Sequence, residues 1–105
     1  MAEDNQFVSW FENLGSDDVP KVGGKNASLG EMIRNLKQEG IRVPDGFATT
    51  AEAYWEFLKA NDLSEKIKNR LESWKKGEKS LDQAGRSIRR LFRRADFPEE
   101  IEEKI

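Results

Sequence analysis

Chemistry is first suggested in the run Val22-Gly23-Gly24-Lys25-Asn26-Ala27-Ser28-Leu29-Gly30-Glu31-Met32. Two adjacent glycines let the main chain come close to an anion, because no Cβ stands in the way. A helix starting directly behind them offers N–H groups without intrahelical partners and the positive end of its dipole. Lys25 adds a mobile full charge at the same end. Together these make a cradle for phosphate, with Gly23, Gly24 and Lys25 as its candidate contacts. The run is not a Walker P-loop: Val19 stands where that motif needs its first glycine, and Asn26 where it needs Ser or Thr. On the residues alone, an ordinary loop-to-helix junction accounts for Gly-Gly-Lys equally well.

Other polar and aromatic residues carry weaker signals. Glu31 could serve as a carboxylate ligand, although a place in the first helical turn, favouring the dipole, suits it better. Trp10, Trp55 and Trp74 could stack on a ligand, but aromatics at helical spacing usually belong to a core. Arg86, Arg89, Arg90, Arg93 and Arg94 share one broad helical face that could follow a phosphate backbone. A solvated face paired with Glu99, Glu100, Glu102 and Glu103, or with further protein, is the simpler reading. No histidine is present, which removes imidazole acids, bases, metal ligands and phosphoryl carriers from the chain. No cysteine is present either, which excludes disulfides, thiolate zinc sites and cysteine nucleophiles.

The elements that must position the glycines follow from periodicity. Phe7–Phe11 reads as a short strand, and Gly15–Pro20 as a loop of turn residues. From Gly24 or Lys25 to about Gln38, Leu29, Met32, Ile33 and Leu36 recur at helical spacing, with Gly40 as a stop. Ile41–Val43 and Phe47–Thr50 read as short extended pieces around a Pro44-Asp45-Gly46 turn, and Thr50 as a helix cap. Ala51 to about Ala60 places Tyr54, Phe57 and Leu58 on one side. Ser64–Lys76 carries Ile67, Leu71 and Trp74, and ends at Gly77. Ser80 and Gln83 form a capping-box pattern ahead of a helix with Leu81, Ala84, Ile88, Leu91 and Phe92 inward. Asp96-Phe97-Pro98-Glu99-Glu100 then has the signature of another helix start. The expected class is α+β, mostly helical with two or three short strands.

Length and charge bound the rest. A chain of 105 residues is one small domain or part of one, too short for a deep two-domain cleft. Its 36% charged residues exceed the usual share, and 18 basic against 20 acidic residues give a net charge of −2. No whole-molecule field therefore draws it to nucleic acid or an anionic membrane. No apolar run reaches signal-peptide or membrane-span length, so a cytoplasmic location is expected. The last helix is launched and then runs barely two turns, which predicts a fragment of a longer protein.

The run Gly23–Met32, followed by Val43-Pro44-Asp45-Gly46-Phe47-Ala48-Thr49-Thr50, resembles the amino-terminal end of the phosphoenolpyruvate-utilising dikinases. Among these, the pyruvate, water dikinases (phosphoenolpyruvate synthases) are most similar, since they too open with a segment like Phe7–Leu14. Pyruvate, phosphate dikinases and rifampicin phosphotransferases share the two central motifs. The resemblance implies that residues 1–105 are the first, incomplete subdomain of an ATP-grasp-like nucleotide-binding domain. It implies a reaction in which ATP phosphorylates a histidine on a swivelling domain, and the phosphoryl group passes to pyruvate on a carboxy-terminal barrel. The family lysine that touches ATP phosphates maps to Lys25. A nucleotide-binding Val-Arg-Ser motif and the magnesium ligands are expected beyond residue 105, so the chain alone is expected to be inactive. ATP, Mg2+, the remaining subdomain, the phosphohistidine domain and the pyruvate barrel are the implied partners. The competing classes are a stand-alone nucleotide or phosphate module and a helical interaction protein using the arginine face.

Overall fold

The computed structural model describes residues 4–105; Met1–Glu3, part of the polar amino terminus, lie outside the described residues. The first half of the chain holds β1 (Val8–Trp10), two short 3-10 segments (Phe11–Asn13 and Ser16–Asp18), α1 (Val19–Val22), α2 (Gly24–Gln38) and β2 (Phe47–Thr49). Then follow α3 (Ala51–Ala60), α4 (Leu63–Lys75), α5 (Leu81–Arg94) and α6 (Glu99–Glu102). The class is α+β, mostly helical with a two-stranded antiparallel sheet. No helix among the described residues is long and apolar enough to cross a membrane. The contacts divide the chain into two units, Met1–Trp55 with Glu99–Ile105, and Glu56–Pro98.

The first unit is organised by α2. Leu14, Val22, Ala27 and Ala48 form its buried cluster, with Phe11 packed against them. The helix meets this cluster with two small residues, Ala27 and Gly30, one turn apart and both buried. At Gly30 an added Cβ would lie 2.5 Å from Leu14 Cβ and 2.7 Å from Leu14 O. Glycine is therefore required there by close approach of two main chains. The larger apolar residues of the helix are less buried: Leu29, Ile33 and Leu36 are only half-buried, and Met32 is 49% exposed.

Gly15–Pro20, expected to be loop, instead holds a 3-10 turn running into α1. Asp18 closes the turn by accepting from the Gly15 N–H at 2.9 Å, and Pro20 sits in the first turn of α1, where its missing N–H costs nothing. The stop at Gly40 is as expected, with φ +78° and Gly40 N–H bonded to Lys37 C=O while Ile41 N–H reaches Leu36 C=O. Ile41–Val43 forms no strand, so the chain returns to β2 as irregular backbone. β2 pairs with β1 in the register Val8↔Thr49, Ser9↔Ala48, Trp10↔Phe47. Thr50 caps α3 as expected, its hydroxyl accepting from Ala53 N–H at 3.2 Å while donating to Gln6 C=O. Lys37 bridges Glu12 (2.9 Å) and Asp45 (3.3 Å). The bonds to Glu12 and then Asp45 raise its pKa above the ordinary 10.5. This tie is complete at neutral pH and is lost only as pH rises through that raised value. Ser9 is fully buried on β1, and its hydroxyl has no hydrogen-bond partner among the described residues.

In the second unit α4 and α5 start and stop where capping chemistry dictates. Ser80 Oγ accepts from Gln83 N–H (3.1 Å) and Gln83 Oε1 from Ser80 N–H (2.9 Å), completing the capping box. Gly77, at φ +78°, ends α4. Phe57 stacks on Phe92 at 6.0 Å and meets Phe97 at 5.3 Å. Asn61 exchanges two hydrogen bonds with the main chain of Asp96. The inward face of α5 differs from expectation at its start, where Leu81 is 63% exposed while Ala84 is buried. Tryptophan is not core here: Trp55 is 63% and Trp74 39% exposed, and Trp10 is half-buried.

Replacing Gly30 with Ala should destabilise the chain by about 1–3 kcal/mol, as for overpacked cores. Urea denaturation of the 105-residue chain and its G30A variant measures this; a midpoint shift equivalent to less than about 0.5 kcal/mol, the level of surface changes, would show that the two main chains can separate freely.

Candidate functional site

Gly23 joins two helices. Its N–H donates to Val19 C=O at 2.8 Å, ending α1, and its C=O accepts from Ala27 N–H at 3.0 Å, opening α2. To do both it takes φ +87° and ψ 163°, a conformation essentially restricted to glycine. The side-chain amide of Asn26 donates to Val22 C=O at 3.0 Å and so satisfies a carbonyl left over at the end of α1. This explains Asn26 in structural terms, and it locks the angle at which α2 leaves the junction.

The first bond of α2 being Ala27 N–H to Gly23 C=O, the N–H groups of Gly24, Lys25 and Asn26 have no acceptor within the helix. Among the described residues no side chain caps them. Gly24 has no positive φ, and a Cβ built on it or on Gly23 would meet nothing within 4 Å. Gly23, Gly24 and Lys25 are all exposed, and Lys25 has no ion pair or hydrogen bond among the described residues. The arrangement is an open helix N-terminus with three outward amides and one unpaired cation beside them. It can hold an anion of phosphate size without displacing a protein group. The three residues singled out from sequence therefore stand together at one helix end.

Glu31 does not. It is the eighth residue of α2, well past the first turn, and its carboxylate accepts from Ser16 N–H (3.1 Å) and Ser16 Oγ (3.4 Å). Its role is to cap the 3-10 turn that leads into α1, so the expected dipole role is corrected to a brace fifteen residues back along the chain. Spacing alone could not show this, because Ser16 and Glu31 are fifteen residues apart and meet only through tertiary packing. On α5, Arg86 pairs with Asp82 one turn earlier, and α4 contributes Arg70, whose Nε donates to Ser87 Oγ at 2.8 Å. The arginine face thus spends one of its five cations on its own helix.

The family model described as pyruvate phosphate dikinase, AMP/ATP-binding domain, matches residues 19–105. The chain belongs to this family. The match begins at α1 and takes in the glycine junction, all of α2 and everything after it; β1 and the first 3-10 segments precede it. Three relatives are each called phosphoenolpyruvate synthase. That of Neisseria meningitidis is 49% identical over 102 residues, covering 96% of this chain and 13% of the relative. That of Aquifex aeolicus is 44% identical, covering 94% and 12%, and that of Escherichia coli 43%, covering 94% and 13%. The chain thus spans about one eighth of the length of the curated relatives it matches.

The two glycines of this dikinase-family junction should respond differently to alanine. Gly23→Ala forces a Cβ into the strained region and should cost about 1–3 kcal/mol. Gly24→Ala should leave stability unchanged or raise it by about 0.4–1 kcal/mol, since Gly24 has neither conformational nor steric need of glycine. Chemical denaturation of both variants measures the difference, and equal losses would contradict the geometry.

Proposed function

We propose that this chain is the amino-terminal, phosphate-binding part of the nucleotide domain of a phosphoenolpyruvate synthase, a dikinase that converts pyruvate, ATP and water to phosphoenolpyruvate, AMP and phosphate through a phosphohistidine. The observation that carries the reading is the uncapped N-terminus of α2, where Gly24 is glycine for no reason internal to the fold. A close-lying ligand supplies that reason: the main chain can approach a phosphate only if no Cβ intervenes. In this reading the amides of Gly24, Lys25 and Asn26 bind phosphate oxygens of ATP, Gly23 sets the helix entry, and the Lys25 ammonium neutralises charge on the same group. Membership of the dikinase family and the names of the relatives support ATP as the anion.

The remaining parts of the machinery belong to the rest of the longer protein. The phosphoryl-carrying histidine has no counterpart in a sequence without histidine. Among the described residues no group of three or more His, Cys, Asp or Glu could hold a metal ion, and the proposal places the magnesium ligands in the rest of the longer protein. An ATP-grasp-like architecture for the completed domain, a cytoplasmic location, a swivelling phosphohistidine domain and a pyruvate-binding barrel complete the proposal.

The test is steady-state kinetics of the full-length enzyme with Lys25→Met and Gly24→Ala. Losing a charged hydrogen bond to a polyphosphate in a water-poor cleft costs on the order of 2–4 kcal/mol, so Lys25→Met should lower ATP-dependent turnover roughly 30- to 1,000-fold. Gly24→Ala should weaken ATP use while leaving the melt of the 105-residue chain intact. Kinetics within about twofold of the parent for both variants would remove the phosphate role, since a factor of two is only about 0.4 kcal/mol.

A further inference from the structure

The sheet has two unlike edges. Thr50 N–H donates to Phe7 C=O (3.0 Å) and Phe11 N–H to Gly46 C=O (2.9 Å), so with Ser9 opposite Ala48 the hydrogen-bonded pairs are Phe7 with Thr50, Ser9 with Ala48, and Phe11 with Gly46. The residues between them, Val8 and Trp10 on β1 and Phe47 and Thr49 on β2, turn their N–H and C=O groups away from the partner strand. On β1 these groups are used. Asn5 Oδ1 accepts from Val8 N–H at 3.1 Å, Asn5 N–H donates to Val8 C=O at 2.9 Å, and Asp4 Oδ1 accepts from Trp10 N–H at 2.8 Å.

On β2 they are not. Among the described residues no group bonds the outward N–H or C=O of Phe47 or Thr49. Both side chains are exposed, while Ala48 between them is buried. Proteins normally blunt a free edge with lysine, proline or a bulge. β2 carries none of these, being Phe-Ala-Thr, and a ribbon of two three-residue strands is marginal by itself.

We infer that the outer edge of β2 pairs with a further β-strand supplied by the rest of the full-length polypeptide. The inference rests on the functional reading above, which supplies that polypeptide. Relatives of this chain devote only 12–13% of their length to the matched region, so most of the folded protein lies outside it. A strand tethered on the same chain arrives at high effective concentration and needs only main-chain bonds to dock. A second copy is the poorer occupant, because the β1 edge is closed and only a β2-to-β2 contact remains.

Amide hydrogen exchange of the full-length enzyme, without nucleotide, tests the pairing. The amides of Phe47 and Thr49 are expected to exchange on the order of 100-fold or more slowly than in an unstructured peptide, independently of protein concentration. Peptide-like rates at both would overturn the inference, and protection that grows with protein concentration would assign the edge to a second copy instead. Thr49→Pro provides an independent arm. Thr49 N–H makes no bond to β1, so proline leaves the existing ribbon intact and deletes only the outward donor. It should lower the melting temperature of the full-length enzyme and release protection at Phe47; an unchanged melt with Phe47 still protected overturns the pairing. Neither readout uses ATP. Protected edge amides in a protein whose turnover ignores Lys25 and Gly24 would refute the functional reading alone, and unprotected amides in a Lys25-dependent enzyme would refute the strand alone.

Discussion

The main chain of α2 lies directly on the main chain of Leu14, with Gly30 leaving no room for even a methyl group between them. That contact sets the depth at which the helix sits. It buries Leu14 and Ala27 together with Val22 and Ala48, and it brings Glu31 beside Ser16, so that the carboxylate can cap the turn leading into α1. α1 ends at Gly23, and Asn26 ties the junction from the other side. The position of the helix N-terminus is thus fixed by packing one to two turns further along. Preorganisation of this kind matters for phosphoryl chemistry, in which positioned dipoles contribute more than mobile ones.

The glycines of the motif consequently do three different jobs. Gly30 serves packing, Gly23 serves a backbone conformation, and Gly24 serves neither. A motif that looks uniform on paper is a composite of a structural hinge, a structural contact and one open position. Lys25 stands apart from all three, since no described residue engages its ammonium. Its charge is uncommitted in the fold, as a ligand-binding lysine at a helix end would be.

Much of this was legible in the sequence where local chemistry decides the outcome. The bounds of α2 follow from Gly23–Gly24 and Gly40, the start of α5 from Ser80 and Gln83, and the entry to α3 from Thr50. Reading failed where tertiary contacts decide. Gly15, Asp17, Asp18 and Pro20 are turn formers, yet Pro20 in a first helical turn begins α1 as readily as it would end a helix. Helical spacing marks the Leu29, Met32, Ile33 and Leu36 stripe on α2, whereas the closest packing falls on Ala27 and Gly30, because small residues permit approach that large ones prevent. Glu31 was misplaced for the same reason: its partner is distant in sequence. The exposed Trp55 and half-exposed Trp74 show that helical spacing identifies a face without identifying what covers it.

The proposed seat of an ATP phosphate at the α2 N-terminus is addressed most directly by a structure of the full-length enzyme with a non-hydrolysable ATP analogue. The expected result is a phosphate oxygen within about 3 Å of the N–H groups of Gly24, Lys25 or Asn26, with the Lys25 ammonium on the same phosphate group. A nucleotide whose phosphates lie elsewhere, with those three amides still facing water, would contradict it.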